Sequence, residues 1–314
     1  MRLRFTRRAV MGGIGLAGLA GAAGFAYNTA PSFWRQYTRE LGREIEPAPL
    51  APDPHAWPHT GIHAAWIGHA TVLLRMDGFT ILTDPVLSDR AGIHIVGPFT
   101  LGLKRMVAPA LRREDLPPVD LLLLSHAHMD HLDIPTLRSL ESKKTVVVTA
   151  PATSDLIRGE RYARVQELRW GERTQVGPVS VRAFEVKHWG ARLRTDTYRG
   201  YNGYILETGR WRVLFAGDTA DTDLFRRVRA RQGYQLGIMP IGAYNPWIRY
   251  HCTPEQAWRM GNEAGVERLL PVHHQTFQLG REPRLEPVER LLEAAGREQE
   301  RVVVRTVGQE VHIG

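Results

Sequence analysis

Residues 120–133 read DLLLLSHAHMDHLD, in which four consecutive leucines run into three histidines and an aspartate within six residues. A short continuous apolar run bounded by polar residues reads as a strand buried on both faces. The polar cluster therefore belongs at that strand's end. Side chains two apart on an extended segment face the same way, which lets His126 and His128 address one ion. Asp130 and His131 follow in the turn, and Ile134-Pro135 opens a helix with Asp133 near its N-cap. An extended pair followed by a turn can divide four donors between two neighbouring metals, each still short of a full shell. Imidazole nitrogen and carboxylate oxygen are the donors zinc takes when thiolates are absent. The single cysteine, Cys252, excludes both a thiolate finger site and a disulfide within the chain.

More donors are expected elsewhere, and each stands just beyond a predicted strand: His188 after VSVRAFEVK, Asp218 after WRVLFAG, His273 after ERLLPV. His274 competes with His273, but neighbours on an extended segment face opposite sides, so one of the two coordinates. Further strands are predicted at TVVVTA, YNGYILET, YQLGIMP and RVVVRTV, with a hairpin turning at Asp77-Gly78. Helices are predicted at Asp221–Arg231, Thr253–Ala264 and Glu286–Ala295, the last two opening at Thr-Pro and Glu-Pro. A hairpin-rich half followed by β/α units gives an α/β fold of mixed sheets covered by helices.

The order H-x-H-x-D-H at 126–131, with the later donors, resembles the metallo-β-lactamase-fold hydrolases over about Gly61 to about Glu293. That resemblance implies an αββα sandwich, two mixed β-sheets packed together with helices on the outer faces. It implies one metal on His126, His128 and His188, a second on Asp130, His131 and His273, and Asp218 bridging them, which favours His273 over His274. Two zinc ions are the first expectation, with iron or manganese as alternatives, and the nucleophile is then a metal-bound hydroxide. Asp84, at the end of FTILT, is expected to support a ligand by hydrogen bonding. The stretches WIGHAT (66–71), ILTDP (81–85), HWGAR (188–192), GDT (217–219), MPIGAYNPW (239–247) and HHQTF (273–277) narrow the resemblance. They look like the N-acylphosphatidylethanolamine-hydrolysing phospholipase D branch and its bacterial relatives. A phosphodiesterase acting on such lipids follows from that likeness, with Asp130 and Asp218 catalytic and His69 and His251 as candidates to touch substrate. The chain departs from the branch at His274-Gln275, where Trp-Gly is usual, which alters the pocket wall. A lactone or β-lactam hydrolase of the same fold is the alternative; a non-catalytic envelope binding protein is a second, opposed by the complete donor set.

The formal charge of +8 and isoelectric point near 9.9 suit anionic surroundings such as phospholipid headgroups or another anionic diester. No basic run interleaved with aromatics supports nucleic acid. Arg2, Arg4, Arg7 and Arg8 precede an uncharged Gly/Ala-rich stretch, so residues 1–30 read as a twin-arginine-like export signal or a membrane anchor. The expected location is the periplasm or cell envelope. Residues 31–60 read as a short helix and proline-rich linker, and 61–314 as the hydrolase domain. Residues 91–111, apolar and without helix or strand period, are expected either as a long loop whose Lys104-Arg105 accompanies a phosphate headgroup or as a segment folded back onto the core.

Overall fold

The computed structural model describes residues 31–96, 99–193 and 195–314; the expected export segment lies outside them. The chain divides into two compact units, Met1–Glu44 and Ile45–Gly314. The first contains helix α1 (Pro31–Leu41), and everything that follows concerns the second. Among the described residues no helix is long and apolar enough to cross a membrane.

The strands are β1 (Ile62–Gly68), β2 (Thr71–Met76), β3 (Phe79–Thr83), β4 (Arg90–Val96), β5 (Phe99–Lys104), β6 (Leu121–Leu123), β7 (Val146–Thr149) and β8 (Arg164–Glu167). They continue as β9 (Arg173–Val176), β10 (Val179–Phe184), β11 (Gly203–Glu207), β12 (Arg212–Phe215), β13 (Leu236–Pro240), β14 (Leu269–Val272) and β15 (Glu310–Ile313). One sheet has the order β15-β1-β2-β3-β6-β7-β8, a second β14-β13-β12-β11-β10-β9, and β4 with β5 forms a separate hairpin. Both large sheets mix parallel and antiparallel pairs. The leucine run is the centre of the first: β6 lies parallel between β3 and β7, and Leu121 to Leu124 are fully buried. Each such side chain contributes about 1.5–3 kcal/mol of burial.

Period-two alternation divides the second sheet between two cores. Val213 and Phe215 face the core shared with the first sheet, whereas Leu214 and Ala216 face the helices. Against that outer face lie α5 (Pro254–Ala264) and α6 (Glu286–Ala295), which follow the short α2 (Ile134–Ser139), α3 (Leu224–Arg227) and α4 (Tyr244–Trp247). Thr253 caps α5 in a capping box with Gln256, and Asp133 caps α2 by accepting from the Thr136 amide. The αββα layering read from the sequence is therefore the observed one.

Three expectations change. RVVVRTV is irregular apart from one bridge, Leu269 to Val302; Val304 and Val307 are buried, so its apolar pattern reports core packing and not a ladder. The last strand is β15, which pairs antiparallel with β1. Residues 91–111 are not a structureless loop, because the β4–β5 hairpin occupies most of the stretch. Arg105 is fully buried there, donating to the Val86 carbonyl at 2.9 Å beneath the Phe277 ring, so it faces no headgroup. Residues 45–60, expected as linker, belong to the larger unit, with Trp57 in its core.

Candidate metal centre

Topology gathers the predicted donors before any side chain is considered. In the first sheet β1, β3 and β6 run parallel to one another; in the second β10, β12, β13 and β14 do. His69 follows β1, Asp84 follows β3, His126 follows β6, His188 follows β10, Asp218 follows β12 and His273 follows β14. All six thus leave from C-terminal strand ends. Gly217 makes the turn into Asp218 with φ +58°, and a Cβ there would meet the Ser125 side chain at 2.7 Å.

Two four-donor groups result, His126 with His128, His188 and Asp218, and His69 with Asp130, His131 and His273. In the first, His126 Nε2 is 2.8 Å from His128 Nδ1, and His188 Nε2 is 3.3 Å from the same atom. Asp218 Oδ2 lies 3.9 Å from His126 Nε2 and 3.7 Å from His188 Nε2. It also lies 3.1 Å from both His131 Nε2 and His273 Nε2, so one carboxylate oxygen faces both groups. Asp130 Oδ2 completes the second group at 3.6 Å from His131 and 3.5 Å from His273. Donors on one tetrahedral zinc, at bonds of about 2.0–2.1 Å, stand roughly 3.3 Å apart, the same range.

The residues behind these donors fit metal ligation. Asp84 accepts from the Ser125 amide at 2.7 Å, the Ser125 hydroxyl at 2.5 Å and His131 Nδ1 at 2.7 Å. Ser125 Oγ, its proton given to Asp84, accepts from His126 Nδ1 at 2.8 Å. His188 Nδ1 donates to the Tyr250 carbonyl at 2.8 Å. Assigned this way, three imidazoles are protonated on the outer nitrogen and turn a lone pair inward. Both Asp218 oxygens and the inward nitrogens of His131 and His273 are buried without a hydrogen-bond partner, which a cation would satisfy.

Electrostatics agree. Burial works against the Asp130 and Asp218 carboxylates, but the facing His131 and His273 outweigh it and hold both well below the usual carboxylate range. Burial pushes His126 and His188 well below the ordinary imidazole value, so both are neutral, the form in which an imidazole can ligate a metal. Burial also acts to lower His131 and His273, yet Asp218 and Asp130 raise the first well above that value and the second to about 9. A metal ion would take the place of those protons.

His69, a candidate for substrate contact, is 1 % exposed and places Nε2 2.9 Å from Asp130 Oδ2, so it holds that carboxylate. His251 sits at the edge of both groups, its Nδ1 buried, unpartnered and 3.8 Å from Asp218 Oδ2. His274 points away and stacks on Trp66 at 4.4 Å; it lies just past β14, where the left-handed His273 turns the chain. His69, Asp84 and His273 hold left-handed φ values of 53°, 32° and 65°. Sequence reasoning missed Ser125 and the Tyr250 carbonyl. Ser125 immediately precedes the histidine cluster, whereas no side chain advertises a carbonyl.

Comparison with known proteins enters here. The beta-lactamase superfamily domain matches residues 80–274. An uncharacterized protein of Mycobacterium tuberculosis is 36% identical over 289 residues, 88% of this chain and 76% of its own. The N-acyl-phosphatidylethanolamine-hydrolyzing phospholipase D 1 of Caenorhabditis elegans is 30% identical over 253 residues, 74% of this chain and 70% of its own. Among solved structures, the isothiocyanate hydrolase from Delia radicum gut bacteria superposes with a TM-score of 0.65 at 20% identity, covering 80% of this chain and 99% of that one, a likeness of fold.

Proposed function

The chain belongs to the beta-lactamase superfamily, and from that premise we propose that it is a dinuclear metal-dependent phosphodiesterase of phospholipase D type. Its substrate would be an N-acylphosphatidylethanolamine-like lipid, the class that the C. elegans relative is named for. The observation that carries the reading is Asp218 Oδ2 facing donors of both histidine groups. His126, His128 and His188 would hold one ion, Asp130, His131 and His273 the other, with Asp218 common to both. Zinc is the first assignment for an all-nitrogen and oxygen set, with iron or manganese as alternatives. Two bound ions supply a water of near-neutral pKa and neutralise charge on a phosphoryl group.

The remaining steps belong to the chain's own groups. Asp218 orients both halves of the site, and His69 keeps Asp130 turned inward through its 2.9 Å contact. Burial pushes His251 down to about 4, so the imidazole is neutral at neutral pH and stands beside Asp218, placed to hydrogen-bond the substrate. Attack at phosphorus in line with the departing alcohol releases an N-acylethanolamine and leaves phosphatidic acid. No serine nucleophile is required. The basic flank and apolar stretch of residues 1–30 support placing this activity in the periplasm or cell envelope.

Turnover in oxygen-18 water tests the reading: label should enter phosphatidic acid and stay out of the alcohol. Label in the alcohol means attack at carbon and refutes it. So does full turnover by Asp218→Asn, which should lose at least about a hundredfold in rate.

A further inference from the structure

The mouth of the metal centre is rimmed by large apolar side chains left in solvent: Trp189 is 43% exposed, Trp247 50%, Ile248 45% and Tyr250 39%. The Trp189 ring lies 4.8 Å from the His128 ring and 5.6 Å from the Tyr250 ring, so the rim touches the donors themselves. A second patch adjoins it. The β4–β5 hairpin exposes Ile93 at 48% and Ile95 at 65%, and packs Ala91 and Leu103 against Phe277 and Leu279. Trp247 Nε1 donates to the Leu279 carbonyl at 3.2 Å, so rim and hairpin share one supporting segment. Exposed Lys187 and Arg249 are interleaved with these residues.

An apolar patch of this kind marks an interaction site. Amphipathic tryptophan and tyrosine beside cations match an anionic lipid–water interface better than a protein surface. A protein seated on the rim would also cover the mouth, whereas a lipid layer presents substrate to it; this step rests on the proposed function. The geometry adds a connection. The segment from Trp247 to His251 is one tight turn, with the Tyr250 and His251 amides both donating to the Trp247 carbonyl at 2.8 and 3.0 Å. Its near end carries Trp247 and Ile248; its far end carries His251 and the Tyr250 carbonyl that fixes His188.

We propose that Trp189, the turn from Trp247 to Tyr250, and Ile93 and Ile95 of β4 form a docking surface for an anionic bilayer. The same turn transmits docking to the metal centre by holding the Tyr250 carbonyl against His188. Lipid contact thereby raises turnover as well as bringing substrate near.

The test uses the metal-loaded full chain and vesicles of phosphatidylcholine and phosphatidylglycerol in equal parts, with phosphatidylcholine alone for comparison. Bromolipids in the anionic vesicles should quench tryptophan fluorescence, and Trp247→Ser should remove a measurable share of that quenching. Ile93→Ser with Ile95→Ser should weaken the response to vesicle concentration about tenfold, while hydrolysis of a short-chain monomeric phosphodiester stays unchanged. Empty anionic vesicles should raise the wild-type rate on that monomeric substrate severalfold and leave the double variant's rate as it was. Quenching in the wild type needs no substitution, so a misfolded variant does not shield the idea. Wild-type fluorescence indifferent to bromolipid, or quenching unaltered by Trp247→Ser, overturns the surface. A wild-type rate unmoved by vesicles overturns the coupling. If vesicles quench as described but no phosphodiester is cleaved, the surface stands and the proposed function fails.

Discussion

Replacing Asp84 by asparagine isolates one carboxylate's effect on the metal centre without changing its shape. Asp84 is fully buried and accepts three hydrogen bonds, two from Ser125 and one from His131. An amide of the same size offers one acceptor oxygen and turns its NH2 group either toward both the Ser125 hydroxyl and His131 Nδ1, which share Oδ2, or toward the Ser125 amide. At least one charge-assisted bond is lost, about 1.5–3 kcal/mol, and the metal-free protein should be destabilised by that order. The larger consequence is at His131: without an anionic acceptor at Nδ1, its proton moves to Nε2, the atom that faces Asp218 at 3.1 Å. Loss of such an outer partner costs roughly 10–100-fold in metal affinity, about 1.4–2.7 kcal/mol. Because Ser125 also orients His126, the first group should weaken too, but less. Asparagine tolerates the left-handed φ of 32°, so the backbone adds little. Chelator competition read by metal analysis, beside urea unfolding of the metal-free protein, measures both quantities. Wild-type metal content at the same free chelator concentration would refute the tautomer argument.

Other perturbations reach different parts of the fold. Burial pushes His274 down to about 3 from 6.5, so the unfolded chain takes up its proton first and the His274 contribution to stability is present above pH 6.5 and lost as pH falls toward 3. His274→Phe keeps the stack on Trp66 and should remove up to about 1.4 kcal/mol per pH unit from the slope of stability in that window; unfolding curves with the wild-type slope would contradict it. Leu123→Ala, in the fully buried centre of the first sheet, should cost about 2–5 kcal/mol in urea unfolding, and a loss under about 1 would mean the sheet repacks around the cavity. Changing Arg7 and Arg8 to lysine should retain the protein in the cytoplasm on fractionation, and normal export of the double variant would reject the twin-arginine route.

The site was more legible in the sequence than the sheets' edges, for a physical reason. His126 to His131 are compressed into six residues, and His188, Asp218 and His273 each follow a run apolar enough to be a central strand, so strand-end placement sufficed to unite them. The edge strands β8, β9 and β15 are short and partly polar, RVQE, RTQV and EVHI, and their ladder bonds leave little trace in side-chain pattern. The segment RVVVRTV misleads in the opposite direction, since β-branched residues suit any well-packed core wall and do not require a partner strand. Arg105 was read as a surface cation because nothing in sequence reveals that β4 and β5 pair and carry it under Phe277. The carbonyl of Tyr250 was invisible in principle, being common to every residue.

The left-handed backbone at His69, Asp84 and His273 bears on how this protein can change over time. A side chain in that region costs on the order of 1 kcal/mol, which glycine would relieve at once. At each of the three positions, however, glycine deletes the imidazole or carboxylate that the metal centre is built on. Glycine there would also leave a buried cavity and, at Asp84, delete three hydrogen bonds worth more than the strain it relieves, so selection for heat resistance alone has no stabilising route through these positions. Gains in thermal tolerance are expected in the sheets and helices away from the strand ends.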